Sequence, residues 1–192
     1  MDILTNFEKK LSLIKPKKNN LNSLKQASVI VPYFLINSSL LLVLLKRSNF
    51  VRYHKGEISF PGGMNEKTDK NLQDTALREF EEELGISRTT VSLMGRLDDV
   101  ITKTKFLVTP FVGRMKSKHI YSINTHEVDE ILEIPIDDLI NENVGNKNQD
   151  LQNFTKEDFF WKKHRIFGAT LKILLQFAEV YRQVKREFFN ER

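Results

Sequence analysis

The stretch from Phe60 to Ile86 constrains this 192-residue chain more than any other. It opens on Phe60-Pro61-Gly62-Gly63, where two adjacent glycines permit unusual backbone angles and close approach of a ligand or metal to main-chain carbonyls. A polar loop, Met64–Asn71, follows. Leu72–Leu84 then carries helical apolar spacing and stops at Gly85, the place where helices commonly end in a left-handed residue. Around this unit the chain alternates between apolar runs and polar breaks. Ser28–Ile36 and Ser39–Lys46 read as strands joined in a hairpin at Asn37-Ser38, and Arg47–Ser59 reads as a loop. Val91–Asp99, Phe106–Met115 and Glu127–Ile134 are further strands. A short helical turn at Ile136–Ile140 follows Pro135. Asn141–Asn153 is irregular, Phe159–Phe167 is a strand, and Ala169–Phe189 is a long amphipathic helix. Strands, a helix, more strands and a last helix make a mixed α+β pattern, not repeated βαβ units.

The N-terminal residues stand apart. Ile3, Leu4, Phe7, Leu11 and Ile14 fall at helical spacing. Residues 15–27 are polar, contain Pro16 and read as a linker. The expected organisation is therefore an extension over 1–27 and one domain over 28–192. Asp2, Glu8 and the lack of early Arg favour a packed or peripheral helix over a mitochondrial presequence, and there is no apolar core of a secretory signal. The longest apolar run, Leu40–Leu45, is far short of the ~20 residues that a membrane span needs. The cytoplasm is the expected compartment.

Charge and composition narrow the chemistry. The net charge is +5. The first 25 residues and the last 12 carry all of the excess, so the body is close to neutral, and no nucleic-acid-binding face is expected. The chain has no Cys, which excludes disulfides, thiolate metal sites and a cysteine nucleophile. It has 14 Phe, enough with its Ile and Leu to build a core.

At 100° per residue, Glu79, Glu82 and Glu83 share an arc of about 100° on the Leu72–Leu84 helix. Ala76, Leu77, Phe80 and Leu84 lie beside them, so the apolar stripe packs inward and the carboxylates line its border. Glu81 points elsewhere. Arg78 precedes Glu82 by four residues and can reach it. Taken alone, the acids fit a solvated face, because like charges at this spacing cost only about 0.2–0.5 kcal/mol per pair. They also fit a divalent cation: Mg²⁺ takes oxygen ligands, using one or two carboxylates plus substrate phosphates.

Gly63, Asp69 and then Arg78-Glu79-Phe80-Glu81-Glu82-Glu83-Leu84-Gly85-Ile86 together resemble the Nudix box: Gly, an acid, then Arg-Glu-apolar-X-Glu-Glu-X-Gly-apolar. Here Asp69 replaces the usual Glu, and the Gly63–Arg78 spacing is one residue longer than the commonest form. Upstream, Val43-Leu44-Leu45-Lys46-Arg47-Ser48, Arg52, Gly56 and Phe60-Pro61-Gly62-Gly63 look like the signature of the coenzyme A pyrophosphatase branch, which shares the longer spacing. Leu45 stands where that branch usually has Thr. Glu127-Val128, Ile134-Pro135-Ile136 and Ile166-Phe167-Gly168-Ala169-Thr170 resemble its later landmarks, with Phe167 where Trp is frequent. The resemblance covers roughly residues 28–180.

The resemblance implies a Nudix-type α/β/α sandwich with a mixed β-sheet, and hydrolysis of the diphosphate linkage of coenzyme A or its derivatives with Mg²⁺ or Mn²⁺. Glu79, Glu83, Glu82 and the Gly63 carbonyl are the expected metal ligands. Glu82 and Glu127 are candidates for the general base, and Arg78 would hold a helix carboxylate in place. Arg47, Arg52, His54, Lys55 and Gly56 are expected to bind the substrate, the basic groups pairing with its phosphates. The expected partner is a small molecule, coenzyme A or a related nucleotide, with no membrane; a homodimer is compatible with the chain. Two alternatives stay open: a Nudix enzyme for another nucleoside diphosphate-linked compound, and a Nudix-fold binding module without catalysis.

Overall fold

The computed structural model describes residues 2–19, 23–37, 39–140 and 158–190. A helix α1 (Ile3–Leu13) leads into strands β1 (Lys25–Ile36), β2 (Ser39–Arg47), β3 (Ile58–Ser59) and β4 (Gly62–Met64), then helix α2 (Leu72–Leu84). Strands β5 (Val91–Arg96), β6 (Val100–Ile101), β7 (Phe106–Met115) and β8 (Val128–Pro135) follow, then α3 (Ile136–Ile140). A hairpin of β9 (Asp158–Trp161) and β10 (His164–Phe167) precedes α4 (Gly168–Asn190).

Strand β1 is the axis of the main sheet. It runs parallel to β7 from Lys25 to Tyr33, and antiparallel to β4 and then to β2 on its other side. β8 lies antiparallel along β2, and β5 and β6 lie antiparallel on β7. One parallel pairing among antiparallel ones makes the sheet mixed. Side chains alternate along each strand. Ile30, Phe34 and Val43 therefore pack with Ala76, Phe80 and Leu84 of α2 on one face. Val31, Tyr33, Leu42 and Leu44 pack with α1, α3 and α4 on the other. Burial on both faces explains the continuous apolar run at Leu40–Leu45. This is an α/β/α sandwich.

The structure revises several sequence boundaries. Ile58–Ser59, placed in a loop, pairs with Leu45 and Lys46 as β3. Gly62–Met64, read as a turn entering a polar loop, pairs with Ala27–Val29 as β4. β1 starts at Lys25, inside the stretch read as linker. Phe159–Phe167 is a hairpin and not one strand, turning at Lys162, which has a φ of 53°. Strands as short as β3 and β4 rest on partners in other segments of the chain, so local propensity does not reveal them. The irregular segment expected at Asn141–Asn153 lies outside the described residues.

The N-terminal helix belongs to the main core. Asp2 caps it, accepting from the Thr5 N–H at 2.8 Å. Phe7 and Leu11 are 0% and 1% exposed. The Phe7 ring meets Phe177 and Tyr181 edge-on, each with centroids at 5.2 Å. Burying Phe7 stabilises the fold by about 1.5–3 kcal/mol. The linker is tied down as well: the N–H groups of Lys17 and Asn19 donate to Asp98 and Asp99 at 2.7 and 3.0 Å. No helix among the described residues is long and apolar enough to cross a membrane.

Candidate active site

Three pieces of backbone meet at the candidate site: α2, the β4 segment before it, and the junction of β2 with β8. Asn71 caps α2 at its start, accepting from the N–H groups of Gln73 and Asp74. Gly85 ends it with a φ of 65°. A Cβ at Gly85 would stand 2.1 Å from the Ser122 carbonyl oxygen, so the stop needs glycine for space as well as for angle. These two ends bound the helix, and the packing of Ala76, Phe80 and Leu84 on the sheet sets where its carboxylates point.

Glu83 is the most confined of them. It is 2% exposed and accepts from the Gly62 N–H at 3.0 Å. Arg47 stands 3.6 Å from its other oxygen. Burial pushes the Glu83 carboxyl up to about 8, the charges of Glu79 and Glu127 add to the rise, and Gly62 and Arg47 oppose it. Glu79 is also raised by burial, with Glu82 and Glu127 adding to the effect and Arg78 opposing it. Its carboxylate lies flat against Gly63, where a Cβ would come within 2.2 Å of Oε1. The glycine pair thus serves two acids: one N–H holds Glu83, and one missing side chain makes room for Glu79.

Arg78 organises the outer side. Its Nε and Nη2 donate to the two oxygens of Asp69 at 2.9 and 3.2 Å, and Nη2 reaches the Met64 carbonyl at 3.3 Å. Its Nη1 pairs with Glu79 and Glu82, both at 2.9 Å. Asp69 further accepts from Thr75 Oγ1 and the Glu66 N–H, each at 2.9 Å. The Arg78 guanidinium holds the Asp69 carboxyl well below the usual carboxylate range, helped by those two donors. Arg78 therefore ties a loop acid to two helix acids. Glu82 is 53% exposed and Glu81 faces Arg88 at 2.8 Å, away from the cluster.

The remaining predicted residues lie around this centre. Glu127 sits immediately before β8, and its carbonyl accepts from the Ser48 N–H at 2.8 Å. Its charge is felt by both Glu79 and Glu83. Arg47, expected on substrate phosphates, faces Glu83 instead of open solvent. In the loop beyond it, Arg52 lies over the Tyr53 ring at 5.1 Å, and His54 pairs with Glu57 at 3.0 Å. Lys55 is exposed. Gly56 has a φ of 69° and its N–H closes the loop on the Arg47 carbonyl at 3.0 Å. Among the described residues no three acidic or imidazole groups close around one point as a finished cation cage. Sequence reasoning missed the clamp of Asp69 on Arg78, which Thr75 braces by donating to Asp69, and the depth of Glu83. The spacing of Asp69 to Arg78 carried a signal for the first; the second had none, because a helical wheel gives direction and not depth.

A model of the NUDIX domain matches residues 25–165, which include every residue of this site. This chain belongs to the Nudix family. It is accordingly a pyrophosphohydrolase. A protein of Pectobacterium atrosepticum named uncharacterized Nudix hydrolase NudL is 35% identical over 137 residues, covering 71% of this chain and 69% of that one. A protein of the same name from Photorhabdus laumondii is 31% identical over 185 residues, 93% of this chain and 95% of its own. Among solved structures, the Nudix domain of Shewanella oneidensis NrtR, crystallised with ADP ribose, superposes with a TM-score of 0.57 at 15% identity. It covers 89% of this chain and 96% of that one, which shows a shared fold.

Proposed function

We propose that this Nudix hydrolase cleaves the diphosphate linkage of coenzyme A or its derivatives, adding water across the phosphoric anhydride to give 4′-phosphopantetheine and adenosine 3′,5′-bisphosphate. The observation that carries the reading is the 3.6 Å approach of Arg47 to Glu83. It joins the loop with the coenzyme A pyrophosphatase signature directly to the acidic helix, so substrate recognition and chemistry share one wall.

The residues fit a divalent cation. Glu79 and Glu83 offer hard oxygen donors one turn apart on α2, the charge of Glu127 is felt by both, and burial raises the two carboxyls above their ordinary values. A raised, buried acid is one that a cation would ionise. Glu79 and Glu83, with Glu82 and the Gly63 carbonyl, would hold Mg²⁺ or Mn²⁺, the ions that Nudix hydrolases generally use. When bound, such an ion neutralises phosphoryl charge and lowers the pKa of a water.

The protein's own part is positioning and proton transfer. Arg78 holds Glu79 and Glu82, so the helix acids keep their places before substrate arrives. Glu127 or Glu82 takes the proton of the attacking water. Arg52 and Lys55, on the exposed loop, pair with the substrate's phosphates, and Arg47 balances charge at the inner wall.

The test is mass spectrometry of products after incubation with coenzyme A, with Mg²⁺ or Mn²⁺ and with chelator. Metal-dependent 4′-phosphopantetheine is the expected result. Intact coenzyme A beside turnover of another nucleoside diphosphate compound would overturn the substrate assignment. No turnover across such a panel would favour a binding module.

A further inference from the structure

We infer that Phe50 is a stacking platform for the nucleobase of a nucleoside diphosphate substrate, set at the rim of the carboxylate cluster with His126 beside it. The inference rests on the diphosphate-hydrolase reading of the site and names a substrate-binding residue for it.

Phe50 is 82% exposed, the most exposed phenylalanine among the described residues. A single exposed apolar side chain is ordinary on a protein surface. Its surroundings are what distinguish this one. The loop that carries it is pinned to the candidate active site at two consecutive residues. Arg47 faces Glu83, and the N–H of the buried Ser48 donates to the Glu127 carbonyl at 2.8 Å. The Ser48 hydroxyl then accepts from the Phe50 N–H at 3.1 Å, which turns the chain and fixes the phenyl ring's base. Two residues span at most about 7 Å, so Phe50 stays beside Glu127 whatever the rest of the loop does. On the other side, His126 immediately precedes Glu127 and meets the phenyl ring edge-on, with centroids 6.4 Å apart. That contact steadies the ring and still leaves it 82% exposed.

The second exposed aromatic of this loop, Tyr53, is already engaged by the Arg52 guanidinium. Phe50 is thus the flat surface left for a planar ligand. A diphosphate held at the Glu79–Glu83 cluster and paired with Arg52 and Lys55 would carry its nucleoside out along this rim. Base–aromatic stacking tolerates any base, and it is a binding contact away from the reacting phosphorus.

The test compares wild type, Phe50→Ala and Phe50→Trp by calorimetric titration with ADP and with inorganic pyrophosphate, each in Mg²⁺. Phe50→Ala is expected to weaken ADP binding about 5- to 150-fold, the range for losing one base–aromatic stack. Pyrophosphate binding should be unchanged, and Phe50→Trp should restore ADP binding. Equal ADP affinity in wild type and Phe50→Ala would overturn the inference and leave the diphosphate site standing. Parallel loss of both ligands would also overturn it, marking Phe50 as a loop-shaping residue. Failure of wild type to bind either ligand would overturn the diphosphate reading itself, and the platform with it.

Discussion

Gly63→Ala isolates the part that a single missing side chain plays in this site. Gly63 is not among the glycines with a positive φ, so alanine meets no backbone penalty there. What it meets is Glu79. The added Cβ would lie 2.2 Å from Oε1 and 2.5 Å from the carboxyl carbon. Carbon–oxygen contacts seldom close below about 3.3 Å. The carboxylate must therefore withdraw by about 1 Å, a flexible side chain yielding to a rigid strand. A misplacement of that size costs about a hundredfold in rate when it moves a group that positions the reaction. The expected result is a fall in kcat of about a hundredfold and weaker Mn²⁺ binding, with a circular-dichroism spectrum like that of wild type. Steady-state kinetics on coenzyme A, with Mn²⁺ affinity followed by electron paramagnetic resonance, reads both. A Gly63→Ala enzyme within about twofold of wild type in both measurements would refute the claim that this glycine makes room for a working Glu79.

Three further outcomes follow from other parts of the structure. Phe7→Ala empties a site among Tyr33, Phe177 and Tyr181, and should cost about 3–5 kcal/mol in urea denaturation; a loss under about 1 kcal/mol would show that α1 is not part of the cooperative core. Arg52→Ala should raise KM for coenzyme A more than it lowers kcat, as for a contact made equally in ground and transition states; an unchanged KM would make Arg52 a partner of Tyr53 only. Because Arg78 depresses the Asp69 carboxyl, its contribution to stability is present above the ordinary carboxylate value near pH ~4 and is lost as pH falls toward the depressed one. The gap in urea midpoint between wild type and Asp69→Asn should therefore be full at pH 7 and narrow at acid pH. A gap that widens on acidification would contradict the ion pair.

The sequence made the α2 unit legible because its signals are local. Gly85 marks the end of the helix within its own neighbourhood, and the 3.6-residue period shows which residues go inward; the Asn71 cap at its start was not read. The i,i+4 pairing of Arg78 with Glu82 was readable for the same reason. What stayed hidden depends on distant chain. The two-residue strand β3 and the three-residue strand β4 exist because β2 and β1 offer them an edge. Glu83 is buried by Gly62 and Arg47, 21 and 36 positions upstream, and no property of α2 alone sets that depth. Arg47 itself looked like a free phosphate ligand, since a basic residue at a loop entrance gives no sign of the acid that will face it. The N-terminal helix showed its apolar face but not its partner, which proved to be α4 at the other end of the chain.

Glu83, buried between Gly62 and Arg47, is the residue proposed to serve the cation on which catalysis depends. Glu83→Gln keeps the size of the side chain and its bond from the Gly62 N–H while removing the charge. The most direct measurement is its kcat on coenzyme A at saturating Mg²⁺. A fall of about a hundredfold or more, the scale of losing a key electrostatic stabiliser, is the predicted result. A kcat close to wild type at saturating Mg²⁺ would contradict it.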